Sequence, residues 1–355
     1  MEKVKDITEL DKNFKVEKTI KRDGKVFYNA LSEPFRVCGV FYKDGLYRRM
    51  PEEDAARVND SIHALSVNTA GGHVRFMTDS RHISIIAKMP YVSNMTHFAR
   101  TGSTGFDMYA DNVFAGVFAP PKDIADGYES TVEIPDFMTE NKVRDFTINF
   151  PLYSRVSELI IGIDEGATLT ASPLYRTEVP MVSYGSSITQ GGCASRPGCS
   201  YQAILSRRFD CNYVNLGFCG NAKAEKEIAE YIASLDMSVF LYDYDCNSPT
   251  PEFLAETHEP MFKIIRAAHP DLPIIMMARP HYYLDPNDVK RHKVIETTYK
   301  NALAAGDKNV YYLSGPELMA LCGHEGTVDN CHPTDLGFAS MAKAVGDLIE
   351  KIGCL

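Results

Sequence analysis

The chain of 355 residues contains no tryptophan, which removes the largest ring on which a sugar-stacking surface is usually built. It also lacks an excess of positive charge: 37 lysines and arginines face 47 aspartates and glutamates, for a net charge of −10. Nucleic-acid binding wants a basic face, and neither a Lys/Arg run nor an interleaving of basic and aromatic residues supplies one. No segment approaches the roughly 18 continuous apolar residues of a membrane span. The charged start, MEKVKDITELDKNFKVEKTIKRDGK, lacks the apolar stretch of a signal peptide. The expected location is the cytoplasm, or an exported one if a signal has been removed. Cysteine is scarce and odd in number, nine in all, eight of them beyond residue 190. A secreted disulfide scaffold would show an even, spaced set, so reduced thiols are expected, with one local bridge between Cys193 and Cys199 left open.

What is present is an ordinary globular mixture, 45% apolar and 24% charged, long enough for two domains. The chain changes character near SPLYRTEVP, residues 172–180, where two prolines punctuate a polar stretch. Before it, HVRFMTDS, HISIIAKMP, NVFAGVFAP, STVEIPDF, DFTINFPL and ELIIGIDEG read as short strands separated by Gly, Asp and Pro. They are rich in β-branched and aromatic residues and often alternate apolar with polar. Residues 1–175 are therefore expected to form an all-β, jelly-roll-like sandwich, with one short helix near Pro51–Ala56. After it, apolar strands at 179–185, 211–218, 237–244, 272–280 and 309–315 alternate with amphipathic helices. Alternation of that kind predicts a parallel sheet covered on both faces over residues 176–355.

Ligand sites in such sheets form at the carboxyl ends of the strands. The first strand runs into Gly185-Ser186-Ser187-Ile188-Thr189-Gln190-Gly191, the second into Gly217-Phe218-Cys219-Gly220-Asn221, and the third into Asp243-Tyr244-Asp245-Cys246-Asn247. A last loop, Asp329-Asn330-Cys331-His332-Pro333-Thr334, precedes the final helix. These loops can supply a serine nucleophile, a histidine base, a carboxylate to orient it and donors for an oxyanion. Plainer roles stay open at this level. Ser186 and Ser187 suit a helix N-cap, Asn247 before Ser248-Pro249 suits a turn, and Asp329 could cap beside a structural His332.

Those four blocks, in that order, resemble the SGNH (GDSL-type) hydrolase superfamily. Gly105-Phe106-Asp107-Met108-Tyr109 also resembles the Gly-x-Asp-Leu-Tyr signature of a β-rich N-terminal domain fused to one subgroup of it. The run Ser186–Gly198 and Thr257-His258-Glu259-Pro260 resemble the same subgroup. The resemblance implies an α/β, flavodoxin-like three-layer domain with Ser187 as nucleophile, His332 as base and Asp329 as its partner. It further implies an oxyanion hole from the Ser187 N–H, the Gly220 N–H and the Asn247 amide. Two departures stand out: Ser186 replaces the usual aspartate, and Asp245-Cys246 precedes Asn247 where a Gly-x pair is usual. Thr189 breaks the Gly-x-Ser-x-Gly pattern of an ordinary α/β-hydrolase.

The expected function is a serine esterase that cleaves small, acetyl-like esters, with a carbohydrate ester suggested by analogy of architecture. An acyltransferase with the same chemistry and a non-catalytic glycan-binding protein are the alternatives. Arg196 and His258 are candidates for lining the pocket, with structural roles equally open. Asp107 and Tyr109 are candidates for reaching that cleft from the β half or for packing the junction. Cys322-x-His324 and Cys331-His332 carry zinc's usual ligand types, but adjacent residues do not both turn to one metal. No metal, cofactor, nucleic acid or membrane partner is therefore expected. Cys219 and Cys246 read as small buried hydrophobes.

Overall fold

A computed structural model describes residues 20–138 and 142–355; the first 19 residues of the expected β domain lie outside that range. The strands of the first half are β1 (Ile20–Arg22), β2 (Lys25–Asn29), β3 (Arg36–Cys38), β4 (Phe41–Lys43), β5 (Leu46–Arg48), β6 (His73–Thr78) and β7 (His82–Lys88), followed by β8 (Phe106–Ala110), β9 (Val113–Phe118), β10 (Gly127–Glu133), β11 (Arg144–Asn149), β12 (Glu158–Asp164) and β13 (Leu169–Thr170). Helices α1 (Glu52–Val58), α2 (Asp60–Leu65) and α3 (Arg100–Ser103) interrupt them. One antiparallel sheet has the order β1-β2-β12-β7-β10, and a second runs β13-β6-β11-β8-β9 with β3 also on β6. Between them lies an apolar core in which Ile83, Ile85, Ile161 and Ile163 of one sheet meet Val74, Phe76, Phe146 and Ile148 of the other.

The strands β6 and β8 of the second sheet are buried on both faces. In β8, Phe106, Met108 and Ala110 enter the sandwich core, so the pleat sends Asp107 and Tyr109 to the opposite face. That face meets the second half of the chain. His73 of β6 stacks on Tyr213 with ring centroids 5.1 Å apart.

The second half contains β14 (Thr177–Gly185), α4 (Ser187–Gln190), α5 (Tyr201–Phe209), β15 (Cys211–Gly217), α6 (Lys226–Ala233), β16 (Val239–Asp243) and α7 (Pro251–Ala268), then β17 (Ile274–Met277), α8 (Pro286–Ala304), β18 (Val310–Leu313), α9 (Gly315–Leu318) and α10 (Asp335–Ile352). The sheet order is β15-β14-β16-β17-β18, with every pair parallel. Counted from β14 this is 2-1-3-4-5, the flavodoxin-like order, and the connections leave β14 and β15 toward opposite edges. A crevice therefore opens at the carboxyl end of β14. Strand residues alternate between two cores: Val182, Tyr184, Phe240 and Tyr242 face α6, α7 and α8. Met181, Val239, Leu241 and Ile275 face α5 and α10. Each large side chain so buried stabilises the fold by about 1.5–3 kcal/mol.

The halves are not packed independently. Met50, Ala55 and Ile62 of the first half belong to the core under α6 and α7, and α1 rests on α6. No helix among the described residues is long and apolar enough to cross a membrane.

Candidate active site

The two serines after β14 divide the roles that the sequence left open. Ser186 is the N-cap of α4, and its side chain accepts from the Ile188 N–H at 3.1 Å. Ser187, released from capping, begins the helix and is 7% exposed. Its Oγ lies 2.8 Å from His332 Nε2. The His332 Nδ1–H in turn donates to Asp329 Oδ2 at 2.8 Å, which fixes the tautomer and leaves Nε2 free to accept. Asp329 Oδ1 also accepts the backbone N–H groups of His332, at 2.8 Å, and Cys331, at 3.1 Å. Partial burial would raise the Asp329 carboxyl, but these bonds and the imidazole outweigh it and hold the group below its ordinary range.

Three donors face no acceptor. Gly220 sits third in the turn closed by Asn221 N–H to Phe218 O at 2.9 Å, with φ +72°. A Cβ there would meet nothing within 4 Å, so the backbone angle, not crowding, calls for glycine. Its N–H and that of Ser187 donate to nothing among the described residues. Asn247 closes a single 3₁₀ turn, Asp245–Asn247. Its Oδ1 accepts the Ala222 N–H at 3.2 Å, and its Nδ2 hydrogens have no partner among the described residues.

The unusual Asp245 explains how this last loop is held. Its Oδ1 and backbone carbonyl both accept from Arg291 of α8 at 3.0 Å, and Oδ2 accepts the Arg279 N–H at 3.0 Å. Arg291 also bonds Ser248 O at 2.8 Å. A buried ion pair thus fixes both sides of Asn247, where a glycine was expected to shape the loop.

Several supporting residues were missed in the sequence. Thr189 and Gln190 lie inside the serine block without an assigned role. Thr189 Oγ1 donates to Asp243 Oδ2 at 2.8 Å, and its carbonyl accepts from Gln202 and Asn215, each at 2.7 Å. Gln190 accepts the Cys219 N–H at 2.9 Å and donates to Leu152 O at 3.2 Å. The Tyr153 hydroxyl, from the β half, donates to the Ser187 carbonyl at 3.0 Å. Buried Arg49, also from that half, bonds the carbonyls of Asn215 at 3.1 Å and Gly217 at 2.6 Å. Only Thr189 and Gln190, lying in the serine block itself, carried a local signal.

The pocket candidates are engaged in packing and in hydrogen bonds within the protein. His258 is 1% exposed, stacks on Tyr242 at 4.4 Å and meets Thr298 Oγ1 at 2.9 Å. Burial pushes its pKa down to about 3, so it is a neutral core histidine and the pocket expectation for it is corrected. Arg196, Asp107 and Tyr109 take the structural alternative. Asp107, fully buried, accepts from Asn149 Nδ2 and the Gly198 N–H, both at 2.9 Å, and from Arg196 at 3.3 Å. Arg196 also bonds the Tyr109 hydroxyl and lies over Phe114 at 3.9 Å. A Cβ on Gly198 would come within 2.7 Å of Asp107 Oδ2, so the two halves touch there through backbone. These three residues tie the junction, the structural one of the two roles that the sequence left open for them. Cys193 and Cys199 are free thiols, and Cys219 and Cys246 pack against the α5–α10 core.

Residues 178–350 match the model of the GDSL-like lipase/acylhydrolase family. Residues 25–169 match the model of the N-terminal GxDLY domain of SGNH hydrolase-type esterases. A search of curated proteins gave no match. Among solved structures, a Bacteroides ovatus ATCC 8483 protein described as a GDSL-like lipase is 29% identical, covering 92% of this chain and 98% of that one, with a TM-score of 0.81. The salicylyl-acyltransferase SsfX3 of a tetracycline biosynthetic pathway is 19% identical over 94% of this chain and 99% of its own, with a TM-score of 0.75. A family two carbohydrate esterase from Clostridium thermocellum, in complex with cellohexaose, is 14% identical over 81% and 94%, with a TM-score of 0.58. At such identities the last two speak for the fold alone. The chain belongs to the SGNH (GDSL-type) hydrolases, in the subgroup that carries a GxDLY-type N-terminal domain, and is a carboxylic ester hydrolase by class.

Proposed function

We propose that this protein is a serine esterase that removes a small, acetyl-like acyl group from a carbohydrate, with Ser187, His332 and Asp329 as its triad. The observation that carries this is the unbroken chain Ser187 Oγ–His332 Nε2 and His332 Nδ1–Asp329 Oδ2, each link 2.8 Å. Ser187 Oγ attacks the ester carbonyl while His332 takes its proton, and Asp329 stabilises the imidazolium that forms. The Ser187 N–H, Gly220 N–H and Asn247 Nδ2 receive the oxyanion, each such donor being worth about 3–4 kcal/mol in comparable sites. His332 returns the proton to the departing alcohol. Water, activated by the same imidazole, then releases the acid from Ser187. The sandwich beside the catalytic sheet and the carbohydrate esterases among the structural neighbours support a sugar as the alcohol. Nine free thiols support a reducing compartment, the cytoplasm.

The salicylyl-acyltransferase, alike over 94% of this chain, favours a second reading in which an alcohol takes the place of water. Product analysis with and without an added alcohol separates the two. The primary test is hydrolysis of p-nitrophenyl acetate and of an acetylated sugar. Ser187→Ala and His332→Ala should each lose several orders of magnitude in kcat while keeping the native circular dichroism. A normal rate in either variant would remove the triad assignment.

A further inference from the structure

The base of the proposed triad has two neighbours that the esterase chemistry does not use. His97, exposed on the loop of the β half that follows β7, has its ring centroid 6.0 Å from that of His332. Cys193, buried beside Gly192, stands in the left-handed region at φ 75°, a conformation few side chains other than glycine, asparagine and aspartate adopt. One ligand atom from each of His97, Cys193 and His332 lies within 4.8 Å of the other two. Among the described residues this is the one such gathering of three His, Cys, Asp or Glu side chains.

We propose that His97, Cys193 and His332 form a binding site for Zn²⁺ that blocks the esterase when filled. Two imidazoles and a thiolate are zinc's preferred ligands, held at about 2.0–2.1 Å (N) and about 2.3 Å (S). Atoms so placed around a tetrahedral ion stand about 3.3–3.6 Å apart, so the cluster closes with a shift on the order of 1 Å. The exposed His97 side chain is free to make most of it. The His332 ring is already arranged as a metal ligand. Asp329 holds its Nδ1–H at 2.8 Å, as a carboxylate typically orients a zinc-bound histidine, and the Nε2 lone pair, which meets only the Ser187 hydroxyl at 2.8 Å, is the one a metal would take. Binding converts the Cys193 thiol to a thiolate and releases one proton to solvent, with no change of oxidation state. The fourth position falls to Ser187 Oγ or a water. The ion occupies the lone pair that must take the Ser187 proton, so metal and catalysis exclude each other. One ligand comes from the β half and two from the α/β half, so the filled site also clasps the halves together at the cleft.

The inhibition rests on the esterase reading; the metal binding does not, and the two are tested apart. Calorimetric titration with Zn²⁺ alone, and the near-ultraviolet thiolate-to-metal band with Co²⁺, should show one site in the wild type and in Ser187→Ala. His97→Ala and Cys193→Ala should each weaken it at least tenfold. Cys193→Gly suits the local backbone and should behave as Cys193→Ala does. Zn²⁺ should suppress p-nitrophenyl acetate hydrolysis and a chelator should restore it. The inhibiting concentration should rise at least tenfold in the His97 and Cys193 variants, each scored against its own metal-free rate. No stoichiometric binding, or binding unaltered in both variants, overturns the proposal. Stoichiometric binding in a protein with no metal-free hydrolysis would instead remove the esterase reading and leave the site standing.

Discussion

Ser187 is held by more than the loop that carries it. Its carbonyl accepts the Gly192 N–H at 2.7 Å and the Tyr153 hydroxyl at 3.0 Å. The second bond reaches across from the β half and fixes the peptide plane behind the nucleophile. A neutral hydrogen bond of this kind contributes about 0.5–1.5 kcal/mol. Tyr153→Phe keeps the ring, which packs against Phe98 at 5.1 Å, and removes that bond together with the hydroxyl's contact to the Cys219 thiol. Its kcat should fall by about two- to tenfold with KM unchanged, because the loss is felt at the attacking oxygen and not in substrate binding. Steady-state kinetics on one ester decides it, and an unaltered kcat would mean that the backbone N–H groups of Gly191 and Gly192 hold the plane without the hydroxyl. Ser187, Gly220 and Asn247 follow strand ends, and Asp329 and His332 lie in the loop before the last helix; those places made them candidates in the sequence, and the resemblance to the SGNH family, beyond the spacing, gave each its expected role. Tyr153 could not be picked out in this way: it acts through a backbone carbonyl 34 residues away in sequence, and no spacing rule reports that.

At the scale of elements, β16 ends in a buried acid that ties the sheet to the serine block. Asp243, 1% exposed, accepts from Thr189 Oγ1 at 2.8 Å and the Tyr201 hydroxyl at 3.2 Å. Burial pushes its carboxyl up to about 7 from the ordinary 3.8, against the pull of those two donors. The folded protein therefore keeps a proton there that the unfolded chain has lost. The stability that goes with it is whole below about pH 4, declines as pH rises, and is gone above about pH 7. Asp243→Asn has no such proton to lose. Relative to the wild type, its unfolding free energy should gain about 2–3 kcal/mol between pH 5 and pH 8, measured from urea midpoints at both pH values. A difference that stays constant with pH would show that Asp243 is charged in the folded state. The strands that end in these loops were readable because β14 to β18 are apolar runs separated by helices. Strands β1 to β5 were not, since three- to five-residue strands are too short to display a period of two. α2 escaped because its six residues bury only Ile62.

At the scale of the molecule, the break near residue 175 is a change of pattern and not of packing. The sandwich has its own core, but the α/β half does not complete either of its two without help. Met50, Ala55 and Ile62 fill the core beneath α6 and α7, and Ala70, Phe98, Leu152 and Tyr153 fill the one beneath α5 and α10. Arg49 enters as a buried cation whose hydrogen bonds go to the carbonyls of Asn215, Gly217 and Leu65. It closes the ends of β15 just before the Gly220 turn. The sequence showed two period patterns and so suggested an accessory domain beside a catalytic one. It could not show that side chains between residues 49 and 153 belong to the second core, because contacts so distant leave no local periodicity. A chain cut to residues 172–355 would expose the apolar surface that these residues cover, and strand ends that have lost their cation. Exposed apolar area of that kind drives association. The fragment should therefore be insoluble or molten, judged by dye binding and loss of near-ultraviolet dichroism, and should hydrolyse p-nitrophenyl acetate at least a hundredfold more slowly than the whole chain. Separately expressed sandwich, residues 20–171, should not restore the rate when merely mixed in, because the shared cores have to form together. A soluble fragment with native turnover would mean that the α/β half builds its site alone, and that the residues reaching into it from the sandwich serve only to hold the two halves in place.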